Sequence, residues 1–262
     1  MATTPPPGTT SLPAAPPPAT ALARWSTAGS PRRRLVLFPH AGAGALAGRA
    51  LQETGTEVLV HRRPARESRM VEDSPADVPG LAREALAVLL PVLDADELPT
   101  AVLGHSFGAL LAAEVAAALE RERPGRLCRV ALSAKAAPPA PDPHLARALA
   151  DDDALAAWVL GLGGTPEELL ADPELRQLVL SPLRLDLTAS LAHTDPAPRL
   201  RTPLLLVSAD GDPTASAEDM TGWAREAETP VQTLTVPGGH HALFEHADAV
   251  LRALWGADGQ PR

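Results

Sequence analysis

Leu103-Gly104-His105-Ser106-Phe107-Gly108-Ala109 has the form GxSxG, with an apolar run before it and an alanine-leucine run after it. That context predicts a strand, a very tight turn and a helix. The turn strains the backbone of the serine, so small residues must flank it. Gly104 and Gly108 meet that need, because a larger side chain at either place would collide with the neighbouring strand or helix. The hydroxyl of Ser106 then stands at the mouth of the sheet, above a helix N-terminus whose amides face the reacting group.

Around this stretch lies a chain of 262 residues, a length that suits one α/β domain with an insertion or at most two small domains. Hydrophobic residues make up 45%, enough for a sizeable core, but aromatics are only 3% and tyrosine is absent. The core must therefore be built from Leu, Val and Ala. The net charge is −9, and Lys135 is the only lysine. No long basic stripe is present, which argues against a nucleic-acid partner. The single cysteine, Cys128, reads as a small buried hydrophobe. The N-terminus has no basic segment leading into an apolar one, as a secretory signal would. No run approaches the ~18 apolar residues needed to cross a membrane. A soluble, cytoplasmic protein is expected, with no membrane partner.

Residues 1–22 are Pro, Ala and Thr with hardly a charge, and the proline triplets favour extended polyproline. A disordered tail is expected there, and one domain over 23–262. The triplet Arg32-Arg33-Arg34, read as the solvated start of a strand, leads into Leu35-Val36-Leu37-Phe38. Four consecutive apolar residues stopped by Pro39 predict a strand buried on both faces. The Gly-rich loop His40-Ala41-Gly42-Ala43-Gly44 follows it. Such a loop at a strand end can turn an amide inward to hold an oxyanion. The amide of Ala41 is the candidate, paired with that of Phe107.

Further strands are expected over 57–61, 100–103 and 129–133, with a helix over 78–93 whose apolar residues recur at helical spacing. Strand and helix alternate, which predicts a parallel sheet covered on both faces. The alternation breaks over 138–199. Asp142-Pro143 and Asp172-Pro173 are helix starts, and Thr165 with Glu168 has capping-box spacing. Leucines line these pieces and Gly161, Gly163 and Gly164 joint them, so a helical lid is expected. A strand over 204–207, a helix over 216–228, a strand over 232–236 and a closing helix over 243–255 complete the chain.

An attacking serine needs a base for its proton and a carboxylate to hold the base. Ser106 comes first, an aspartate in the loop Ser208-Ala209-Asp210-Gly211-Asp212-Pro213 second, and a histidine in Pro237-Gly238-Gly239-His240-His241 last. This is the chain order of α/β-hydrolases, and each residue follows a predicted strand. Asp210 or Asp212, and His240 or His241, remain open on these grounds. His105 reads as a packing or pocket-lining residue. No metal and no cofactor is called for.

The chain resembles the type II, or editing, thioesterases that accompany modular polyketide and nonribosomal peptide synthases. The likeness covers nearly everything after the tail. It is carried by Leu37-Phe38-Pro39-His40-Ala41-Gly42, Pro64-Ala65-Arg66-Glu67-Ser68-Arg69 and residues 103–109. Leu162-Gly163-Gly164-Thr165-Pro166-Glu167, Asp172-Pro173-Glu174-Leu175 and Pro237-Gly238-Gly239-His240 carry it further. The resemblance implies an α/β-hydrolase fold with a helical lid over about 138–199. It implies hydrolysis of acyl thioesters on acyl or peptidyl carrier proteins bearing a phosphopantetheine arm, with Ser106 as nucleophile, Asp212 as orienting acid and His240 as base. Departures from the family pattern are Gly42-Ala43-Gly44, Ala65 in place of a glycine, a segment 45–56 without aromatics, and His241 where an aromatic is common. Arg62, Arg63, Arg66 and Arg69 are candidates for carrier docking, against a plain solvated loop. Two other readings stand beside this one: an esterase or acyltransferase using other acyl donors, and a non-enzymatic binding protein.

Overall fold

The computed structural model describes residues 19–140 and 142–256. The expected tail lies outside the described residues up to residue 18. Its last part, however, is packed: Ala19–Ala21 form a 3-10 turn with Ala21 fully buried. The edge strand β1 (Leu22–Ser26) follows, with its side chains half exposed. Its mixed composition carries no strong strand period, so the sequence pattern does not show it.

The remaining strands are β2 (Arg33–Phe38), β3 (Thr56–His61), β4 (Thr100–His105), β5 (Leu127–Ser133), β6 (Leu204–Ala209) and β7 (Val231–Val236). The sheet order is β1-β3-β2-β4-β5-β6-β7, with β1 antiparallel to β3 and every other pairing parallel. A parallel strand returns through a crossover, and helices supply it. They are α1 (Val78–Leu93), between β3 and β4, and α2 (Phe107–Glu122), between β4 and β5. Side chains alternate across the sheet. Val36, Phe38, Val102, Val130 and Leu132 join α1 and α2 in one core. Leu35, Leu37, Ala101, Leu103 and Ala131 join the C-terminal helices in the other. Each leucine so buried contributes about 1.5–3 kcal/mol, which is how a core with few aromatics holds together.

Residues 138–199 contain only helices among the described residues: α3 (Pro143–Ala148), α4 (Asp152–Leu162), α5 (Glu167–Ala171) and α6 (Pro173–Ala192). Asp142 accepts from the Leu145 amide at 2.9 Å, and Asp172 from those of Glu174 and Leu175, also at 2.9 Å, so both caps form as expected. The capping box at Thr165 does not: α5 begins after Pro166, with no side-chain cap. The expected 216–228 helix is short, α7 (Ala217–Met220) followed by a 3-10 turn (Thr221–Glu226). The closing helix splits at His246 into α8 (Ala242–Glu245) and α9 (Ala247–Trp255).

Two glycines fix how tightly α2 lies on the sheet. A Cβ on Gly108 would sit 1.9 Å from the Phe38 carbonyl oxygen, and one on Gly104 2.3 Å from the Gly108 carbonyl oxygen. Both obstacles are backbone, so neither can swing aside. Gly108→Ala is therefore expected to lower the unfolding free energy by at least about 2 kcal/mol in urea titrations. Gly161→Ala, where a Cβ meets nothing within 4 Å, is expected to raise it by about 0.5 kcal/mol through helix propensity.

Candidate active site

Ser106 bridges β4 and α2 with φ 55° and ψ −124°, a conformation that costs an L-residue of order 1–3 kcal/mol. Its amide donates to the Ser133 carbonyl at 2.8 Å and its carbonyl accepts from the Ala109 amide at 2.8 Å, so the backbone is held on both sides. It stands at the N-cap of α2 but makes no side-chain cap hydrogen bond. The hydroxyl is thus not spent on the helix. The helix α2 behind it presents the Phe107 amide and the positive end of its dipole.

The loops after β6 and β7 bring the two expected partners together. His240 Nδ1 lies 3.0 and 3.2 Å from the carboxylate oxygens of Asp212, and both side chains are buried. Thr214, which the sequence pattern did not single out, is the third member. Its hydroxyl donates to Asp212 at 2.7 Å and lies 3.0 Å from His240 Nδ1, while its amide donates to Asp212 at 2.8 Å. Burial pushes the Asp212 carboxyl up, but the hydrogen bond and charge of His240 and the Thr214 donors outweigh it and hold the group below the ordinary carboxylate range. Asp210 is exposed and points elsewhere, accepting from the Gly238 amide at 3.0 Å. It ties the histidine loop to the aspartate loop. His241 leaves the Asp212 contact to its neighbour and packs edge-on against His40, ring centroids 4.7 Å apart.

Two cavities open on Ser106 and His240. One, ≈ 580 Å³, runs past Lys135, Asp142, His144, Ser190, His193 and Thr214. The other, ≈ 540 Å³, lies under the lid and is walled by Val159, Leu162, Leu169, Leu178, Val179 and Leu183. Trp158, like Ser106 and His240, borders both. Ala41 lines the second cavity, beside Ser106. Leu155 of the insertion lines neither cavity and is fully buried in the main core.

The arginine-containing loop departs most from expectation. Arg63, Arg66 and Arg69 are 0%, 4% and 2% exposed, neither solvated nor free to dock a partner. Arg66 makes a bidentate pair with Asp186 of α6 at 2.7 and 2.8 Å, and Arg63 reaches the same carboxylate at 2.9 Å. Arg63 also donates to the carbonyls of Pro39 and His40, and its guanidinium lies 5.3 Å from the Phe107 ring centroid. Asp186 itself accepts from the Gly42 amide at 2.8 Å. Arg69 pairs with Glu72 and Glu84, and Arg62 with Glu67. Two of the arginine triplet are likewise engaged: buried Arg34 bridges Glu57 and Asp96, and Arg33 pairs with Glu53 over the Trp255 ring, while Arg32 is exposed as expected. Cys128 is half-buried, its thiol pushed up to about 11 chiefly by burial.

A parallel sheet with a strained serine between strand and helix, and an Asp-His pair on the next strand ends, defines an α/β-hydrolase. The thioesterase-domain family model matches residues 33–256, and the chain belongs to that family. It is 33% identical over 237 residues to a probable cadicidin biosynthesis thioesterase of Streptomyces griseus, covering 87% of this chain and 63% of that one. It is 32% identical over 226 residues to the thioesterase PikA5 of Streptomyces venezuelae, covering 85% and 79%. The solved type II thioesterase BorB of the borrelidin cluster superposes with a TM-score of 0.72 at 31% identity, covering 87% of this chain and 94% of that one. No helix among the described residues is long and apolar enough to cross a membrane.

Asp186 generates a stability prediction. Burial pushes its carboxyl up, but Arg63 and Arg66 outweigh this and lower it below the ordinary value. A depressed folded-state value means the contribution is full above the unfolded value of about 3.9 and is lost as pH falls through the folded one. Asp186→Asn leaves two buried guanidiniums without a counter-charge and is expected to cost about 3–5 kcal/mol at pH 7. Chemical denaturation at stepped pH should show the gap between wild type and variant narrowing below about pH 4.

Proposed function

We propose that this protein hydrolyses acyl thioesters carried on the phosphopantetheine arm of acyl or peptidyl carrier proteins, in the cytoplasm, clearing aberrant acyl groups from a polyketide or nonribosomal peptide synthase. The observation that carries the reading is His240, held by buried Asp212, lining the same two cavities as Ser106 in a member of the thioesterase family.

In this reading Ser106 Oγ attacks the thioester carbonyl while His240 Nε2 accepts its proton. Asp212 holds Nδ1–H and offsets the imidazolium charge, and Thr214 fixes the carboxylate. The amides of Ala41 and Phe107 receive the oxyanion, the second strengthened by the α2 dipole. Collapse expels the pantetheine thiolate, which takes the proton from His240. Water, deprotonated by His240, then attacks the Ser106 ester; the bond to Oγ breaks as His240 returns the proton to it, releasing the carboxylic acid. No metal and no cofactor is needed for these steps.

Two cavities suit a substrate with two unlike ends. The leucine- and valine-walled cavity under the lid fits an apolar acyl chain. The cavity past Lys135, Ser190, His193 and Thr194 offers polar partners to an amide-rich pantetheine arm. Trp158 borders both cavities.

Ser106→Ala is expected to lower kcat by at least about three orders of magnitude, and intact-mass spectrometry should place one fluorophosphonate adduct on Ser106. Asp212→Asn and His240→Ala should follow it, whereas Asp210→Asn, which loosens only a loop contact, should cost less than about tenfold. A larger loss at Asp210 than at Asp212 would reverse the assignment. The substrate class is tested by comparing acyl-carrier, acyl-pantetheine and oxygen-ester substrates. A preference for oxygen esters, or transfer of the acyl group to an amine or alcohol in place of water, overturns the editing role.

The lid cavity yields a second expectation. Val179→Trp should cut kcat/KM for a decanoyl thioester by more than about tenfold and leave an acetyl thioester within about threefold, measured on paired pantetheine substrates. Equal losses for both would place the acyl chain elsewhere.

A further inference from the structure

His40, His105 and His241 come from three different elements: the loop after β2, the end of β4 and the loop after β7. One ring nitrogen from each lies within 4.8 Å of the others. The ring centroids are 4.7 Å apart for His40 and His241, 5.8 Å for His40 and His105, and 6.0 Å for His105 and His241. Three imidazoles arranged tetrahedrally on one zinc ion, with Zn–N about 2.1 Å, hold their centroids about 5.2 Å apart. The cluster is therefore within a side-chain adjustment of a three-histidine site.

Hydrogen bonding supports the same use. Buried His40 Nδ1 and His105 Nε2 have no partner at full hydrogen-bond geometry among the described residues, although the His240 backbone stands close enough to the His105 ring to raise its value slightly against the larger effect of burial. A buried polar atom left bare costs about 1–3 kcal/mol, so a ligand is a natural outlet. His105 Nδ1 lies 3.2 Å from Ser133 Oγ. When Nδ1 donates to that hydroxyl, Nε2 carries the lone pair, which is how an outer partner orients a metal-binding imidazole. Burial, followed by the neighbouring histidines, lowers all three rings from their ordinary range, so they are neutral at pH 7 with lone pairs available. Arg63, whose charge opposes a cation near His40, is itself paired with Asp186.

We propose that His40, His105 and His241 form a binding site for a divalent zinc-like cation at the floor of the lid cavity, and that the ion inhibits the enzyme. His40 and His241 line that cavity together with Ser106 and His240. The ion needs no fourth protein ligand, since three histidines and one water complete a tetrahedron. Inhibition follows from position. His240 has its ring centroid 5.1 Å from that of His105 and 5.2 Å from that of His241. A doubly charged ion among those rings repels the imidazolium that His240 forms when it takes the Ser106 proton, and the ion also obstructs the cavity. Occupation by the metal alone does not depend on the substrate assignment; only the inhibition reads through Ser106 chemistry.

The test uses the full, untagged protein after chelator treatment, titrated with Co²⁺. Visible ligand-field bands of a four-coordinate site should appear, saturate at one equivalent and vanish when Zn²⁺ is added. His241→Phe should weaken Co²⁺ binding by more than about 100-fold, and Ser133→Ala, which frees the His105 ring, by about 10–100-fold. His144→Gln and His193→Gln, outside the cluster, should leave the bands unchanged. Zn²⁺ should slow hydrolysis of an oxygen or thioester substrate by wild type, and chelator should restore it. If His241→Phe fails to give folded protein by circular dichroism, His241→Gln and Ser133→Ala carry the comparison. No bands with wild type, or bands that survive His241→Phe or His241→Gln, overturn the site. Bands at one equivalent with no slowing by Zn²⁺ overturn the inhibitory role.

Discussion

The buried carboxylate of Asp186 is the contact on which the active-site side of the molecule depends. It lies in the second half of α6, among leucines, and meets Arg63 and Arg66 from the loop after β3. It also receives the Gly42 amide from the loop after β2. One side chain thus joins the lid to two sheet-edge loops. A buried ion pair adds little net stability, because desolvation offsets most of the Coulomb attraction. Its effect is on geometry. With Gly42 N directed to Asp186 and Arg63 holding the carbonyls of Pro39 and His40, the loop carrying Ala41 has few alternatives. The cation over the Phe107 ring reaches the other candidate oxyanion residue. The loop carrying Ala41 and the side chain of Phe107 are thus both in contact with one ionic cluster.

The strain at Ser106 is sustained from the opposite side. An L-residue at φ 55° and ψ −124° relaxes unless its neighbours forbid it. Here β5 holds its amide and α2 is pressed against β2 so closely that only glycine fits at 104 and 108. Burial of α2 on nearly every face supplies the free energy that keeps it there. A second strained point is Ala65 at φ 62°, a conformation that glycine adopts far more readily. It lies in the loop that delivers Arg63 and Arg66, and the two ion pairs give that loop a reason to keep its shape despite the Cβ.

Polarity in the site is graded. The Asp212-Thr214-His240 group is fully hydrogen-bonded on its acidic side. A few ångströms away His40 and His105 carry bare ring nitrogens in a buried setting. His241 adds a third imidazole to the patch. The cavity under the lid, otherwise walled mainly by aliphatic side chains, therefore holds one concentrated patch of imidazoles next to the nucleophile.

Local pattern was sufficient for much of this protein. The apolar runs at 35–38 and 204–207, the helical spacing over 78–93 and the aspartate caps at Asp142 and Asp172 each form what their own residues dictate. In a parallel sheet every strand end with a reactive loop falls on one edge, so the order Ser106, Asp212, His240 already implied a shared site. Choosing Asp212 over Asp210 and His240 over His241 rested on family resemblance, since neighbours on one loop differ only in where the loop points them. The half-exposed edge strand Leu22–Ser26 and the unformed cap at Thr165 escaped because their pattern is weak or ambiguous without the rest of the sheet and lid. What only the tertiary structure decided are the long-range pairings. Arg63 and Arg66 look like solvated charges in sequence, and Asp186 looks like a stray acid on an apolar helix, 120 residues from Arg66. Charge burial is a property of the pair and not of either residue: each is tolerable inside only because the fold brings the other within hydrogen-bonding distance.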